Sequence, residues 1–249
     1  MSHGWDDDTE FPLDPAVWGT VVVMTANRFA ALACALWLAA GALTLYIATV
    51  SGIPGVDLAL ARPAHDLAVA NPWLAWVAAF FAAMGSVFVL APLTVGVVVA
   101  LWLRGQRWWA VWLAADGITG IVVSQSVKRV IDRQRPAWDN PLHELTSPSF
   151  PSGHSMAGIY GYLAFGVVAW FLVNRAFGTV LMVFGVLMGP SRVFFGVHWP
   201  TDVLAGWLFA GACLCTVTAV LWWRWGPPPT QNAGQPLGAA CATGSEVAG

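Results

Sequence analysis

Charge is what this chain has least of. Of 249 residues only 10% are Asp, Glu, Lys or Arg, and 13 acidic against 11 basic side chains leave a formal net charge of −2. Without a basic excess there is no dispersed surface to grip a phosphate backbone, which excludes nucleic acid as a partner. Cysteine is also scarce. Cys34, Cys213, Cys215 and Cys241 lack the paired spacing of a zinc site, and three of them lie in apolar segments as small packing residues. A basic cleavable leader is missing as well, since the first residues carry Asp6, Asp7, Asp8 and Glu10 followed by Pro12 and Pro15. Residues 1–26 are therefore expected to form an N-terminal tail with an interfacial stretch around Trp18. From Gly226 onward the run Pro227-Pro228-Pro229 and a small-residue tail predict disorder over 226–249.

Apolar surface is abundant. Hydrophobic residues make up 58% of the chain, with 16 Trp and 13 Phe, and the mean hydropathy is +0.67. That composition predicts an all-α polytopic membrane protein, a single domain over residues 27–225. At about 20 apolar residues per crossing of a hydrocarbon core about 30 Å thick, six transmembrane helices fit. They fall at residues 29–50, 87–103, 108–127, 155–173, 177–195 and 203–223. The apolar run from Trp73 to Leu103 is too long for one upright helix and divides at Gly85-Ser86, which predicts an interfacial helix before the second span. The segment ahead of it, with Gly52, Pro54, Gly55, Asp57, Arg62, His65 and Asp66, reads as a loop. There Asp57, His65 and Asp66 either line a substrate entrance or are plain solvated residues. The pairs Trp108-Trp109 and Trp222-Trp223 read as interface anchors.

The few charges collect at span ends. Because the fourth and fifth spans lead across and back, three clusters face one compartment. In the first, Lys128 and Arg135 are seven apart, about two helical turns, and Arg135 precedes Pro136 and is already extended. A planar guanidinium and a point-charge ammonium together suit a phosphate, and they equally suit a juxtamembrane patch for anionic headgroups. In the second, Ser152 is a natural N-cap and Gly153 lets backbone N–H groups approach an anion. His154 projects from that first turn, placed either to protonate a leaving oxygen or merely to sit at the interface of a capped helix. In the third, His198 and Asp202 are four apart, with Pro200 suited to a first helical turn between them. The carboxylate can take the proton of one ring nitrogen and leave the other free to attack, or the pair is a helix-end hydrogen bond. Taken together, three cations, two histidines, a carboxylate and an anion-binding helix start on one face require an anionic partner.

This arrangement resembles the three-part signature of the type 2 phosphatidic acid phosphatase superfamily, which also includes vanadium haloperoxidases and glucose-6-phosphatase. The matching elements are Lys128 with Arg135-Pro136, then Pro151-Ser152-Gly153-His154, then Ser191-Arg192 with His198 and Asp202. The resemblance covers residues 128 to 202, and the six-helix layout extends it over most of the chain. It implies that His198 attacks phosphorus and forms a phosphohistidine, with Asp202 orienting it. His154 would protonate the leaving group and then help to activate water. Lys128, Arg135, Arg192, the Ser152 hydroxyl and the Gly153 amide would hold the phosphoryl oxygens. Neither metal nor other cofactor is expected, since cations and amides take the places of Mg²⁺ and no carboxylate cluster of the Mg²⁺-binding kind occurs. Asp132 and Arg133 fit the family variant Asp-Arg-x-Arg-Pro and are expected to brace the loop by pairing. Arg129, His143 and Glu144 lie nearby without an assigned role.

The expected substrate is a lipid phosphate whose tail stays in the bilayer: undecaprenyl pyrophosphate, phosphatidic acid or phosphatidylglycerol phosphate. The alternatives are a lipid-phosphate binding or transport protein without catalysis and a vanadate-dependent haloperoxidase. Orientation rests on cations. Arg28, Arg104, Arg107, Arg175 and Arg224 lie on the non-catalytic side, against Arg62, Lys128, Arg129, Arg133, Arg135 and Arg192. Setting aside Lys128, Arg135 and Arg192 as kept for chemistry tips the count toward termini inside and catalysis on the outer face of the cell membrane. Oligomeric state has no signal in the sequence.

Overall fold

The computed structural model describes residues 15–228, with side chains from Val23 onward. Nine α-helices run in the order α1 (Pro15–Thr49), α2 (Gly55–Ala70), α3 (Pro72–Met84), α4 (Val87–Leu103), α5 (Arg107–Val130), α6 (Gly153–Ala157), α7 (Ala164–Leu172), α8 (Arg175–Phe194) and α9 (Pro200–Trp225) among those residues. A π-helical turn, Gly158–Leu163, joins α6 to α7 and makes them one span, Gly153–Leu172. Among the described residues five stretches are long and apolar enough to cross a bilayer: Val23–Thr49, α5, the α6–α7 span, α8 and α9. α4 is a shorter apolar helix, and α2 and α3 form a pair bent by 111°. The all-helical membrane architecture, with a separate helix α3 before α4, is the one expected from the hydropathy pattern.

Three local expectations differ. The segment read as a loop around Asp57 is the helix α2; its Gly52, Pro54 and Pro63 masked a helix whose buried face carries Asp57, Ala61, His65 and Ala68 at helical spacing. α1 begins at Pro15, inside the expected N-terminal tail, while residues 1–14 and 229–249 of the two expected tails, and the Trp18 side chain, lie outside the described residues. Trp108 and Trp109 are core residues, 8% and 2% exposed; Trp108 stacks on Trp112 and Trp109 meets it edge-on, and the Trp112 indole N–H donates to Thr218 Oγ1 at 2.8 Å.

Small residues set the packing. Ala26, Ala33, Ala40 and Ile47 recur every seven residues on the buried face of α1, which lies along α9. The π-turn meets α8 backbone to backbone: a Cβ at Gly158 would come within 2.1 Å of the Gly185 carbonyl oxygen, and one at Gly185 within 2.3 Å of that of Gly158. Such contacts let helices approach where lipid offers no hydrophobic drive to associate. They lock the α6–α7 span and α8 together, and so fix the starting points of both chain segments that carry the histidines. At the same end, α2 packs against α8 and α9, and α3 against α8, so the bent pair roofs the region where α5, α6, α8 and α9 end or begin.

Candidate active site

His198 lies in the turn between α8 and α9, 2% exposed. Gly196, at φ +75°, makes that turn possible, because a side chain there would be strained and a Cβ would fall 2.5 Å from His65 Nδ1. The ring's tautomer follows from its neighbours. Arg135 NH1 stands 3.1 Å from His198 Nε2, and a guanidinium can only donate, so Nε2 carries a lone pair. The proton is then on Nδ1, which faces Asp202 Oδ2 at 3.5 Å and Ser149 Oγ at 3.4 Å. Burial is the main influence on this imidazole and pushes it down from its ordinary value of 6.5 to about 4. Asp202 opposes the shift, and the charges of Arg135 and Arg192 add to it.

Asp202 is fully buried at the start of α9. Its Oδ2 accepts the backbone N–H of Trp199 at 2.8 Å and the hydroxyl of Ser149, and its Oδ1 accepts Arg133 NH1 at 2.5 Å. A carboxylate with so many donors is held in one rotamer.

The cations surround the free face of His198. Arg135 donates from NH1 to the Val197 carbonyl at 2.6 Å and from Nε to the Ser147 carbonyl at 2.7 Å. Burial holds its guanidinium below its ordinary value while Asp202 acts in the other direction. Lys128 Nζ donates to the Pro148 carbonyl at 2.9 Å, and its charge interacts with Arg135 and Asp202. Arg192 is 2% exposed, lies over the Phe195 ring at 5.4 Å, and has no partner for Nε or NH1 among the described residues. A buried guanidinium with unsatisfied N–H groups is costly unless an anion completes it.

His154, half-buried at the start of α6, contacts the Ala82 carbonyl through Nε2 at 3.1 Å; a carbonyl only accepts, so Nε2 carries the hydrogen. The charges of Arg192, His198 and Arg135 all act on this ring, which places the two histidines in one electrostatic neighbourhood. The ring lies on Gly85, where a Cβ would approach its Cδ2 to 2.7 Å. Ser152 is buried and its hydroxyl accepts the Ser155 N–H at 3.4 Å, so it serves as the cap of α6. Gly153 is adjacent to Lys128: a Cβ there would be 3.9 Å from Lys128 Cε.

Lys128, Arg135, Ser152, Gly153, His154, Arg192, His198 and Asp202 therefore meet at one end of the helix bundle. Others were missed. Asp57 and His65 do not line an entrance: they are 0% and 2% exposed. Asp57 binds Arg133 NH2 at 2.6 Å, and His65 stacks on Trp138 at 4.7 Å with its Nε2 at 3.1 Å from the Asn140 carbonyl. Asp66 is exposed. Arg133 does brace the loop, through Asp57 and Asp202 rather than Asp132. Ser149 and Thr201 also belong to the network, and only their closeness to the motifs hinted at it. Among the described residues no group of three or more His, Cys, Asp or Glu side chains is placed to hold a metal ion.

The sequence profile described as the PAP2 superfamily matches residues 107–226, from the start of α5 through the end of α9. Phosphatidylglycerophosphatase B of Bacillus subtilis is 31% identical over 63% of this chain and 78% of its own length. An undecaprenyl-diphosphatase of the same organism is 33% identical over 46% of this chain and 60% of its own. The crystal structure of a transmembrane PAP2-type phosphatidylglycerolphosphate phosphatase from Bacillus subtilis superposes with a TM-score of 0.65 at 26% identity, covering 74% of this chain and 93% of that one. With its three motifs converging at one membrane face and relatives of this extent, the chain belongs to the PAP2 superfamily.

Proposed function

We propose that this membrane phosphatase hydrolyses a phosphate monoester or diphosphate of a lipid through a phosphohistidine at His198, without a metal ion. The observation that carries the reading is the setting of the His198 ring, with Nε2 3.1 Å from Arg135 NH1 and Nδ1 3.5 Å from Asp202 Oδ2, which leaves the lone pair on Nε2. In the first step His198 Nε2 attacks phosphorus, the bond to the leaving oxygen breaks with its electron pair, and His154, entering the step as an imidazolium, supplies the proton and is left neutral. In the second step water attacks phosphorus, His154 takes a proton from it, and the N–P electron pair returns to His198. Asp202 stabilises the Nδ1–H ring while it bears positive charge. Arg135, Lys128 and Arg192, with the Gly153 amide, neutralise the nonbridging oxygens, the task that metal ions perform in many phosphoryl transfers. Ser152 contributes by capping α6 and holding that amide in place.

The named substrates of the relatives, a polyprenyl diphosphate and phosphatidylglycerol phosphate, support a lipid phosphate as substrate class. Catalysis on the outer face follows from the cation distribution once the phosphate-binding residues are set aside. The test is phosphate release by the purified protein in detergent with excess chelator, offering undecaprenyl pyrophosphate, phosphatidic acid and phosphatidylglycerol phosphate side by side. His198→Ala and His154→Ala are expected to be nearly inactive. Full activity in His198→Ala, or activity lost to chelator and restored by Mg²⁺, would overturn the mechanism. Tight lipid binding without release would instead identify a carrier.

A further inference from the structure

Asp57 sits on α2, 145 positions before Asp202, and touches none of the residues assigned to the phosphate. It is nevertheless fully buried, and each of its oxygens has a partner at the start of α9. Oδ1 accepts the backbone N–H of Thr201 at 2.9 Å; Oδ2 accepts the Thr201 hydroxyl at 2.7 Å and Arg133 NH2 at 2.6 Å. The same guanidinium donates through NH1 to Thr201 Oγ1 at 2.7 Å and to Asp202 Oδ1 at 2.5 Å. Helix α9 thus begins with two carboxylates: Asp202 from within, on the Trp199 amide, and Asp57 from another helix, on the Thr201 amide. Capping from a distant helix costs more chain order than a local cap, and a buried carboxylate costs more than a neutral cap. Simple helix capping needs neither.

The geometry points to Asp57 as a positioning residue of the phosphatase site. Through Arg133 it fixes the Asp202 carboxylate so that Oδ2 faces His198, and thereby keeps the proton on His198 Nδ1. The physical reason is a division of charge. A lone Arg133 beside Asp202 would neutralise it and could swing with it. Shared between Asp57 and Asp202, the guanidinium is gripped at both ends, and Asp202 keeps enough negative charge to hold the imidazole N–H. This inference rests on the His198 mechanism proposed above, and its test separates the two.

The experiment compares wild type, Asp57→Asn, Asp202→Asn and the double variant as full-length protein in detergent, each taken from the monodisperse folded fraction. Phosphate release from a lipid phosphate with chelator gives kcat and KM, and ¹⁵N NMR of histidine-labelled protein gives the His198 tautomer. Asp57→Asn is expected to lower kcat by about 10–100-fold, as partners behind a reacting group do, with KM changed by less than about threefold. In the Asp202→Asn background the further loss should vanish, because the two act in series. The His198 ring signals should shift toward a mixture of tautomers. If Asp57→Asn does not fold, Arg133→Lys keeps the charge but cannot bridge two carboxylates, and the same kcat loss and ring shift are expected of it. Additive losses, or His198 signals identical to wild type in the folded variant, would overturn the inference. A wild type that releases no phosphate would refute the proposed function, and the NMR comparison would still decide whether Asp57 sets the tautomer.

Discussion

Lowering the pH perturbs the nucleophile directly, because protonation of His198 Nε2 removes the lone pair that attacks. Burial places this group near 4, against 6.5 for an ordinary histidine. At pH 4.5 a group titrating at 6.5 is only about 1% neutral, whereas one titrating at 4 is about three-quarters neutral. The account therefore predicts that kcat/KM, corrected for the substrate's own phosphate ionisation measured by ³¹P NMR, stays level down to pH about 5. Below about 4 it should fall tenfold per pH step. In Asp202→Asn the limb should move lower still, since Asp202 raises the group, and the plateau should drop as the tautomer loses its anchor. Stability carries the same sign. The folded-state value lies below the unfolded one, so above 6.5 the ring is neutral in both states and contributes nothing. Between 6.5 and 4 the unfolded chain gains a proton that the native site resists, and about 3 kcal/mol of stability is lost. His198→Gln should lack that part of the acid destabilisation in a thermal melt. An acid limb in kcat/KM near 6.5 would refute the reasoning, because it would mean that burial does not outweigh Asp202 in setting the titration of the attacking group.

Other expectations follow from single contacts. Gly85→Ala puts a methyl 2.7 Å from His154 Cδ2 and 2.9 Å from Met188 Cε, so it should displace the imidazole and cut kcat at least tenfold while inhibition by inorganic phosphate is retained; unchanged kcat would show that the ring's position is immaterial. Arg192→Met removes a buried cation with two nitrogens that have no partner among the described residues, and should raise the melting temperature of the free protein. At the same time it should abolish the stabilisation that wild type gains from phosphate or vanadate, about 2.7 kcal/mol at a hundredfold excess over Kd. Equal anion stabilisation in both proteins would remove Arg192 from the pocket. Asp116, fully buried in α5 with neither carboxyl oxygen partnered among the described residues, should tolerate Asn or Leu with activity kept and stability gained by about 1–3 kcal/mol; loss of activity would mean that the site extends into the bundle.

The chemistry was easier to read from the sequence than the scaffold behind it. Lys128, Arg135, His154, Arg192, His198 and Asp202 stood out because charged residues in an apolar chain must have an anion or a partner, and span counting placed them on one face. The spans were legible because crossing a bilayer demands length and hydrophobicity. α2 was not, since Gly52, Pro54 and Pro63 resemble loop punctuation and its buried face holds a carboxylate and an imidazole instead of an apolar stripe. The link from Asp57 to Thr201 spans 144 positions, and no local spacing encodes it. Ser149 was hidden among prolines, and its contact with Asp202 depends on the fold of the 131–152 loop. The Trp108-Trp109 pair has the composition of an interface belt, and only the packing of α5 against α9 shows that it lies inside.

The most direct test of a phosphoryl group bound covalently at this site is a rapid-quench experiment with lipid substrate labelled with ³²P in the transferred phosphate. The account predicts a transient phosphoenzyme, labile to acid and stable to alkali, that maps to the peptide containing His198 and is absent from His198→Gln. A wild-type enzyme that turns over with no label on the protein at any time, or with label on a different residue, would contradict it.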